Sequence, residues 1–203
     1  MKTSRTQVYI AGLLQLFSKS IVKVSVAIAT LALAQTSLAS MSYSMPAVEG
    51  GFRWSSAELD QATSNKMDIG FQLGGSVVLN FTPEFGLKTG LLYVERPFKS
   101  EVAGTEVKGK VSYFDVPAFF MFKLEDYAGI YAGPSFSFKL ADEITPGAMT
   151  DIKGMVMPIT LGAQFKFASN LGVNIFFETL PSEMAKGIKN SRAVGATLLV
   201  TFD

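Results

Sequence analysis

Residues Met67–Phe81 read MDIGFQLGGSVVLNF. Taken alternately, the stretch separates into two faces. Ile69, Phe71, Leu73, Gly75, Val77, Leu79 and Phe81 stand on one; Asp68, Gly70, Gln72, Gly74, Ser76, Val78 and Asn80 stand on the other. A period of two, apolar on one side and polar or small on the other, belongs to a strand with two different surroundings.

The same split recurs seven more times. Upstream, Val48, Phe52 and Trp54 oppose Glu49, Gly51 and Arg53. Next, Phe85, Leu87, Thr89, Leu91 and Tyr93 oppose Gly86, Lys88, Gly90 and Arg96. Phe114, Val116, Phe120 and Phe122 oppose Tyr113, Asp115, Pro117 and Lys123. Ile130, Phe136, Phe138 and Leu140 oppose Tyr131, Gly133, Ser135 and Lys139. Ile159, Leu161, Phe165 and Phe167 oppose Thr160, Gly162, Gln164 and Lys166. Val173, Ile175 and Phe177 oppose Gly172, Asn174 and Glu178, and Val194, Leu198 and Val200 oppose Gly195, Thr197 and Thr201. The pattern predicts eight strands of about 10–15 residues. Tight turns join some of them, at Thr82–Phe85, Glu125–Ala128 and Ala168–Leu171. Longer polar connections join the others, at Ser55–Lys66, Pro97–Lys110, Asp142–Gly154 and Leu180–Ser191. Alternating short and long connections describe an up-and-down antiparallel meander.

Before Glu49 there is no acidic residue, whereas Lys2, Arg5, Lys19 and Lys23 all precede the apolar run VSVAIATLALAQTSLAS. A basic start, a short apolar stretch and a small-residue exit have the layout of a secretory signal peptide. The run is shorter than the roughly 20 apolar residues a spanning helix needs. The expected boundaries are a cleaved leader over 1–39, ending at Ser37-Leu38-Ala39, and a barrel over 40–203. Ala32-Leu33-Ala34 is an alternative exit, and an uncleaved N-terminal anchor an alternative reading. Without the leader's four basic residues, 14 basic side chains remain against 17 acidic ones, a net charge of −3. That balance gives no electrostatic reason to expect nucleic acid.

Alternation does not say which face points inward. A soluble barrel of lipocalin type would place the phenylalanines inside, around a ligand. An outer-membrane barrel would place them outside, against lipid. Three features favour lipid. The apolar face carries no charge in any strand, as a lipid face requires. Glycines gather on the polar face, at 70, 74, 86, 90, 129, 133, 162, 172 and 195, although Gly50 and Gly75 depart from this. Glycine suits a narrow interior where backbone and long side chains meet. Aromatic residues sit at strand ends: Phe81, Phe85, Phe122, Tyr127, Phe167 and Phe202 by the short turns, Trp54 and Tyr93 by the long connections. Such belts suit membrane interfaces. The fold expected is therefore all-β, an eight-stranded antiparallel up-and-down transmembrane β-barrel in a Gram-negative outer membrane. Its termini and short turns would face the periplasm.

The stretch SYFDVPAFFMFKL (Ser112–Leu124) carries a second signal. Tyr113, Phe114, Asp115, Val116 and Pro117 lead to a basic Lys123, and Tyr131, Gly133 and Pro134 follow a turn. This order resembles the outer-membrane β-barrel domain group that includes the PorT-like proteins. There an aromatic-(Leu/Phe)-(Asp/Glu)-(Ile/Val)-Pro strand runs to a basic residue, a turn and Tyr-x-Gly-Pro. GLKTGLLYVER (Gly86–Arg96) is similar to that group's Gly-Leu-x-Tyr strand, and the strand layout resembles the small eight-stranded OmpX- and OmpA-like barrels. The motifs cover roughly Gly86–Leu140. The resemblance implies the fold and the membrane, and brings no shared catalytic motif.

The chain has neither histidine nor cysteine. That excludes Ser-His and His-Asp sites and thiolate chemistry. Glu49, Asp68, Asp115 and Glu178 are the carboxylates a histidine-free site could use, but an interior charge network explains them better. In that network they would neutralise Arg53, Lys88, Arg96, Lys123, Lys139 and Lys166, because buried charge needs a partner. Asp115 is expected to face Lys88 or Arg96, and Pro117 to mark a bulge or bend. Asp142, Glu143 and Asp151 read as solvated loop charge. The sequence calls for no catalytic residue, metal or cofactor. The expected role is a non-enzymatic, porin-like membrane protein with a plugged polar interior and four surface loops serving a structural or surface-contact purpose. Its partners would be outer-membrane lipid and, during biogenesis, periplasmic chaperones and the barrel-assembly machinery, with the protein a monomer. A narrow passive pore and a soluble periplasmic lipocalin-like binder are the alternatives.

Overall fold

Alternating side chains become alternating environments. Phe52 is 61% exposed while its neighbour Arg53 is 1% exposed. The structure, a computed structural model, describes residues 43–60, 62–125, 127–147 and 149–202. The expected leader lies outside them. The strands are β1 (Tyr43–Leu59), β2 (Ser64–Lys66), β3 (Asp68–Asn80), β4 (Phe85–Val102), β5 (Thr105–Glu125), β6 (Ala128–Thr145), β7 (Met155–Val156), β8 (Ile159–Ala168), β9 (Leu171–Leu180) and β10 (Ile188–Thr201).

The eight long strands pair antiparallel with their neighbours in chain order, and β1 pairs with β10 to close the ring. The seam runs from Ala47↔Thr201 to Leu59↔Ile188. Closure leaves the ring no unpaired edge, the condition for backbone to stand in hydrocarbon. Side chains of the apolar face point outward around the ring. Those of the polar face converge on the barrel axis. β2 adds a short third strand to β4 beyond the ring, and β7 caps part of β6.

At one end lie three short turns and both ends of the described chain. At the other, distal end, the sheet departs from expectation. Pro97–Lys110 is not a loop. β4 and β5 stay paired from Glu95↔Ser112 to Val102↔Thr105, joined only by Ala103-Gly104. Both turn residues have positive φ, 49° and 77°, which matches the twist of a two-residue hairpin. The arms add about 25 Å of strand at 3.3 Å per residue. They escaped the sequence pattern because their outward row is charged rather than apolar: Glu106 lies 2.7 Å from Lys99 and 3.1 Å from Lys108. The strands accordingly reach 21 residues instead of 15.

Pro117 also differs from expectation. Thr89↔Ala118 and Leu92↔Asp115 share one register, as do Pro117↔Ser135 and Phe120↔Ala132. No extra residue is inserted at the proline. Its fixed φ is compatible with an extended strand, and only the donor is lost. The cost is local, because Gly90 and Leu91 form no ladder pair with Val116 and Pro117. Register shifts between β5 and β6 fall at Ser112/Tyr113 and Lys123/Glu125 instead.

Candidate functional site: the barrel interior

The interior is stratified along the axis. At mid-height, β4, β5, β1 and β9 place Arg96, Asp115, Arg53 and Glu178 side by side, all buried. Arg96 donates to Asp115 through Nη1 at 3.2 Å and Nη2 at 2.7 Å. It also donates to Glu178 through Nε at 3.0 Å and Nη2 at 3.1 Å. Arg53 Nη2 donates to Glu178 Oε1 at 2.5 Å. Glu178 is thus held between two guanidiniums, one of which is itself clamped by a second carboxylate. Such fork-to-carboxylate geometry is the strong form of the charged hydrogen bond.

Nearer the short-turn end, Lys88 Nζ lies 3.5 Å from Glu49 Oε2 and donates to Gln164 Oε1 at 2.9 Å. Glu49 Oε2 also accepts from Asn174 at 3.1 Å and Thr197 at 3.3 Å. Tyr131 OH donates to Asn174 Oδ1 at 2.5 Å. Among the described residues the deep interior therefore holds three cations and three carboxylates. Each cation also stands over an aromatic ring. Arg53 lies 5.7 Å from Phe176, Lys88 4.9 Å from Tyr131, and Arg96 5.0 Å from Tyr113.

Two of these rings explain two of the inward glycines. Tyr131 is the ladder partner of Gly162, and Phe176 of Gly195. A Cβ on either glycine would stand 2.3 Å from the ring. The ring lies across bare backbone and presents its other face to a cation. Phe98 lies over Gly109 in the same way.

One apolar cluster closes the distal side of the charged layer, and a second is packed among its charges on the other side. Towards the short turns lie Met45, Val78, Phe119, Met121, Tyr131 and Phe176. At the distal end, Phe98, Val111, Tyr113, Leu180, Met184 and Ile188 pack together. Met184 and Ala185 come from the β9–β10 connection, which folds into the mouth. Met184 O accepts from Lys153 N at 3.0 Å, and Gly187 O accepts from Asp60 N at 2.8 Å. A cavity of about 20 Å³ lies beside Glu49, Arg53, Lys88, Asp115 and Glu178. That is room for one water, and Arg53 Nε, buried without a partner, is the group such a water would serve.

Of the expected network, Glu49, Arg53, Lys88, Arg96, Asp115 and Glu178 meet in the interior, with Asp115 on Arg96. The other four stand nearer the rims. Lys123 donates to Asn80 Oδ1 at 2.9 Å, and Lys139 pairs with Asp142 on its own strand at 2.5 Å. Lys166 is half-buried by the short turns, and Asp68 accepts from the next residue's N–H at 2.9 Å. The motif residues serve this interior directly. Tyr113 and Tyr131 lie under cations, Pro117 is buried, and Pro134 pairs with Ile159. Gly133 lets β5 approach, since a Cβ there would stand 2.4 Å from Ala118 O. Sequence reasoning missed the inward Phe98, Phe119, Met121 and Phe176. Their parity marks them as inward, but an apolar residue on the polar face carries no hydropathy contrast. It also missed the clamp on the outer wall, where Glu95 accepts from Lys110 at 2.9 Å and Tyr93 at 3.3 Å. Glu95 raises the Lys110 pKa above the ordinary lysine value by accepting that hydrogen bond.

A family model described as "Outer membrane protein beta-barrel domain" matches residues 33–179. The chain belongs to that family. Among solved structures this outer-membrane barrel is similar to Neisserial surface protein A, at 14% identity and a TM-score of 0.50 over 79% of this chain and 99% of that one. It is also similar to Ail, the attachment invasion locus protein of Yersinia pestis, at 16% identity and a TM-score of 0.46 over 77% of this chain and 97% of that one. A comparison with curated proteins returned no match. At these identities the likenesses concern the fold alone. As an outer-membrane β-barrel, the protein turns Leu73, Phe120, Leu161, Ile175 and Leu198 to lipid. Phe81, Tyr127, Phe167 and Phe202 form the girdle at the short-turn end, and Trp54 stands in the distal one.

Proposed function

We propose that this outer-membrane barrel is a non-enzymatic, closed scaffold whose interior carries no solute and whose work is done at its distal end. The observation that carries the reading is the matched interior: among the described residues, three buried cations on three buried carboxylates, beside a cavity with room for about one water. A pore needs a continuous wet path, and here one apolar cluster lies distal to the charged layer while aromatic and methionine side chains are packed among its charges. A carboxylate acting as acid or base needs substrate access. Asp115 and Glu178 instead spend their lone pairs on arginines.

On this reading the distal end is the extracellular one, and the leader exports the chain. Chaperones and the assembly machinery of the envelope deliver it, and the monomer contacts lipid around its whole belt. The paired β4–β5 arms and the inturned β9–β10 connection form a rigid platform for surface contact. Reconstitution of heat-modifiable, folded protein into planar bilayers is the test. Silent membranes are expected, and stepwise conductance that scales with inserted protein would overturn the closed-lumen reading.

A further inference from the structure

Arg192 stands on the outer wall of β10, exposed and with no ion-pair partner among the described residues. Its ladder partners are Ser56 on β1 and Thr179 on β9. The three residues form one outward row: a guanidinium between two hydroxyl side chains. The next outward row towards the membrane centre is Trp54, Val194 and Phe177, again in register and all exposed to lipid. Polar groups thus begin here one residue pair beyond the apolar belt. The acid one row further out, Glu58, accepts from Asn190 at 2.6 Å, and Lys189 is engaged by Asp60 at 3.0 Å.

Elsewhere on the outer wall charge is paired: Lys110 lies 2.9 Å from Glu95 and 3.8 Å from Glu143. The Arg192 row is a polar group at the hydrocarbon boundary whose charge the protein does not itself cancel. A guanidinium there favours an anion with paired oxygens, and flanking hydroxyls donate to the same oxygens.

We propose that the Ser56–Arg192–Thr179 row is a binding site for the phosphate of a lipid headgroup, with that lipid's acyl chain lying along Trp54, Val194 and Phe177. The proposal rests on the membrane placement of the belt and is independent of whether the lumen conducts. One basic residue at a bilayer surface contributes about 1 kcal/mol towards an anionic lipid, roughly fivefold enrichment over bulk.

The test uses Trp54, the only tryptophan in the chain. It is the diagonal cross-strand neighbour of Arg192, about 7–8 Å away by sheet geometry. The full barrel is reconstituted in phosphatidylcholine vesicles containing a small fraction of brominated phosphatidic acid or, in parallel, brominated phosphatidylcholine. Excess quenching by the phosphomonoester lipid is expected, equivalent to about fivefold local enrichment. It should disappear in Arg192→Gln and persist in Arg192→Lys. Equal quenching by the two lipids, or an excess that survives Arg192→Gln, would overturn the proposal. Loss of the excess on adding inorganic phosphate at constant ionic strength would overturn the lipid assignment in favour of a soluble phosphate site.

Discussion

Replacing Arg96 by methionine keeps much of its volume but removes one positive charge and four hydrogen bonds from the middle layer. Asp115 is then buried without a cation, and Glu178 keeps only Arg53. Removing one partner of a buried ion pair costs about 3–5 kcal/mol, most of it the stranded charge. The second substitution, Asp115→Leu, reverses that part. Arg96→Met with Asp115→Leu leaves two neutral pairs, Arg53–Glu178 and Lys88–Glu49, and forfeits only the bonds Arg96 gave Glu178. The double variant is therefore expected to be about 2 kcal/mol more stable than Arg96→Met alone. Asp115→Leu alone should also be costly, since it leaves an excess guanidinium. Urea unfolding in lipid vesicles, followed by Trp54 emission at unchanged m-value, measures all four corners of this cycle. A loss below about 1 kcal/mol for Arg96→Met, or a double loss equal to the sum of the singles, would refute the account of the interior.

Three further outcomes follow from the geometry. Gly162→Ala and Gly195→Ala each push a Cβ into an aromatic ring and should cost about 1–3 kcal/mol. Gly75→Ala, whose Cβ meets only Ala47 O at 3.7 Å, should stay within about 0.5 kcal/mol; equal costs at the three sites, in the same unfolding assay, would contradict the ring-over-glycine packing. Ala103→Asn, placed where the hairpin turn needs positive φ, should stabilise the arm tip by about 0.5–1 kcal/mol, read as slower proteolysis within the arms. The tip should also depend on pH. Accepting a hydrogen bond from Lys99 holds the Glu106 carboxyl below the usual glutamate value, and that same bond holds Lys99 above the usual lysine value. The carboxylate's contribution is complete above its unfolded pKa and is lost as pH falls through its lower folded one. The ammonium's is complete below its unfolded pKa and is lost as pH rises through its higher folded one. Amide protection across 99–108 should therefore peak near neutrality, and Glu106→Gln should flatten its acid limb.

The membrane-facing half of the fold was legible because lipid tolerates no charge on its side. Every outward position from Ile69 to Leu79 had to be apolar or glycine, and that fixed the phase. Beyond the belt the same constraint vanishes. Lys99-Ser100-Glu101-Val102 is as regular a strand as any, yet water on its outer face permits charge, so the period carries no contrast. The interior was legible in kind but not in pairing. Parity put Arg96 and Glu178 inside, while their meeting from strands 82 positions apart depends on strand stagger, which hydropathy does not encode. The inward aromatics were hidden for a related reason. Phe119 and Met121 alternate with the equally apolar Phe120 and Phe122, so that run shows one hydropathy and two destinations.

The β1–β10 seam has a consequence for how the molecule is made. Its pairs join residues 47–59 to residues 188–201, so almost the entire chain separates one side of the seam from the other. Contacts of that sequence separation are slow to form, because their chain entropy is lost before they return anything. Until the last strand arrives, β1 presents an open edge, and an open edge in hydrocarbon leaves backbone groups unpaired. A partly inserted sheet is therefore the high point of the pathway. Insertion and closure are expected to occur together as one cooperative event, with no stable precursor of fewer strands.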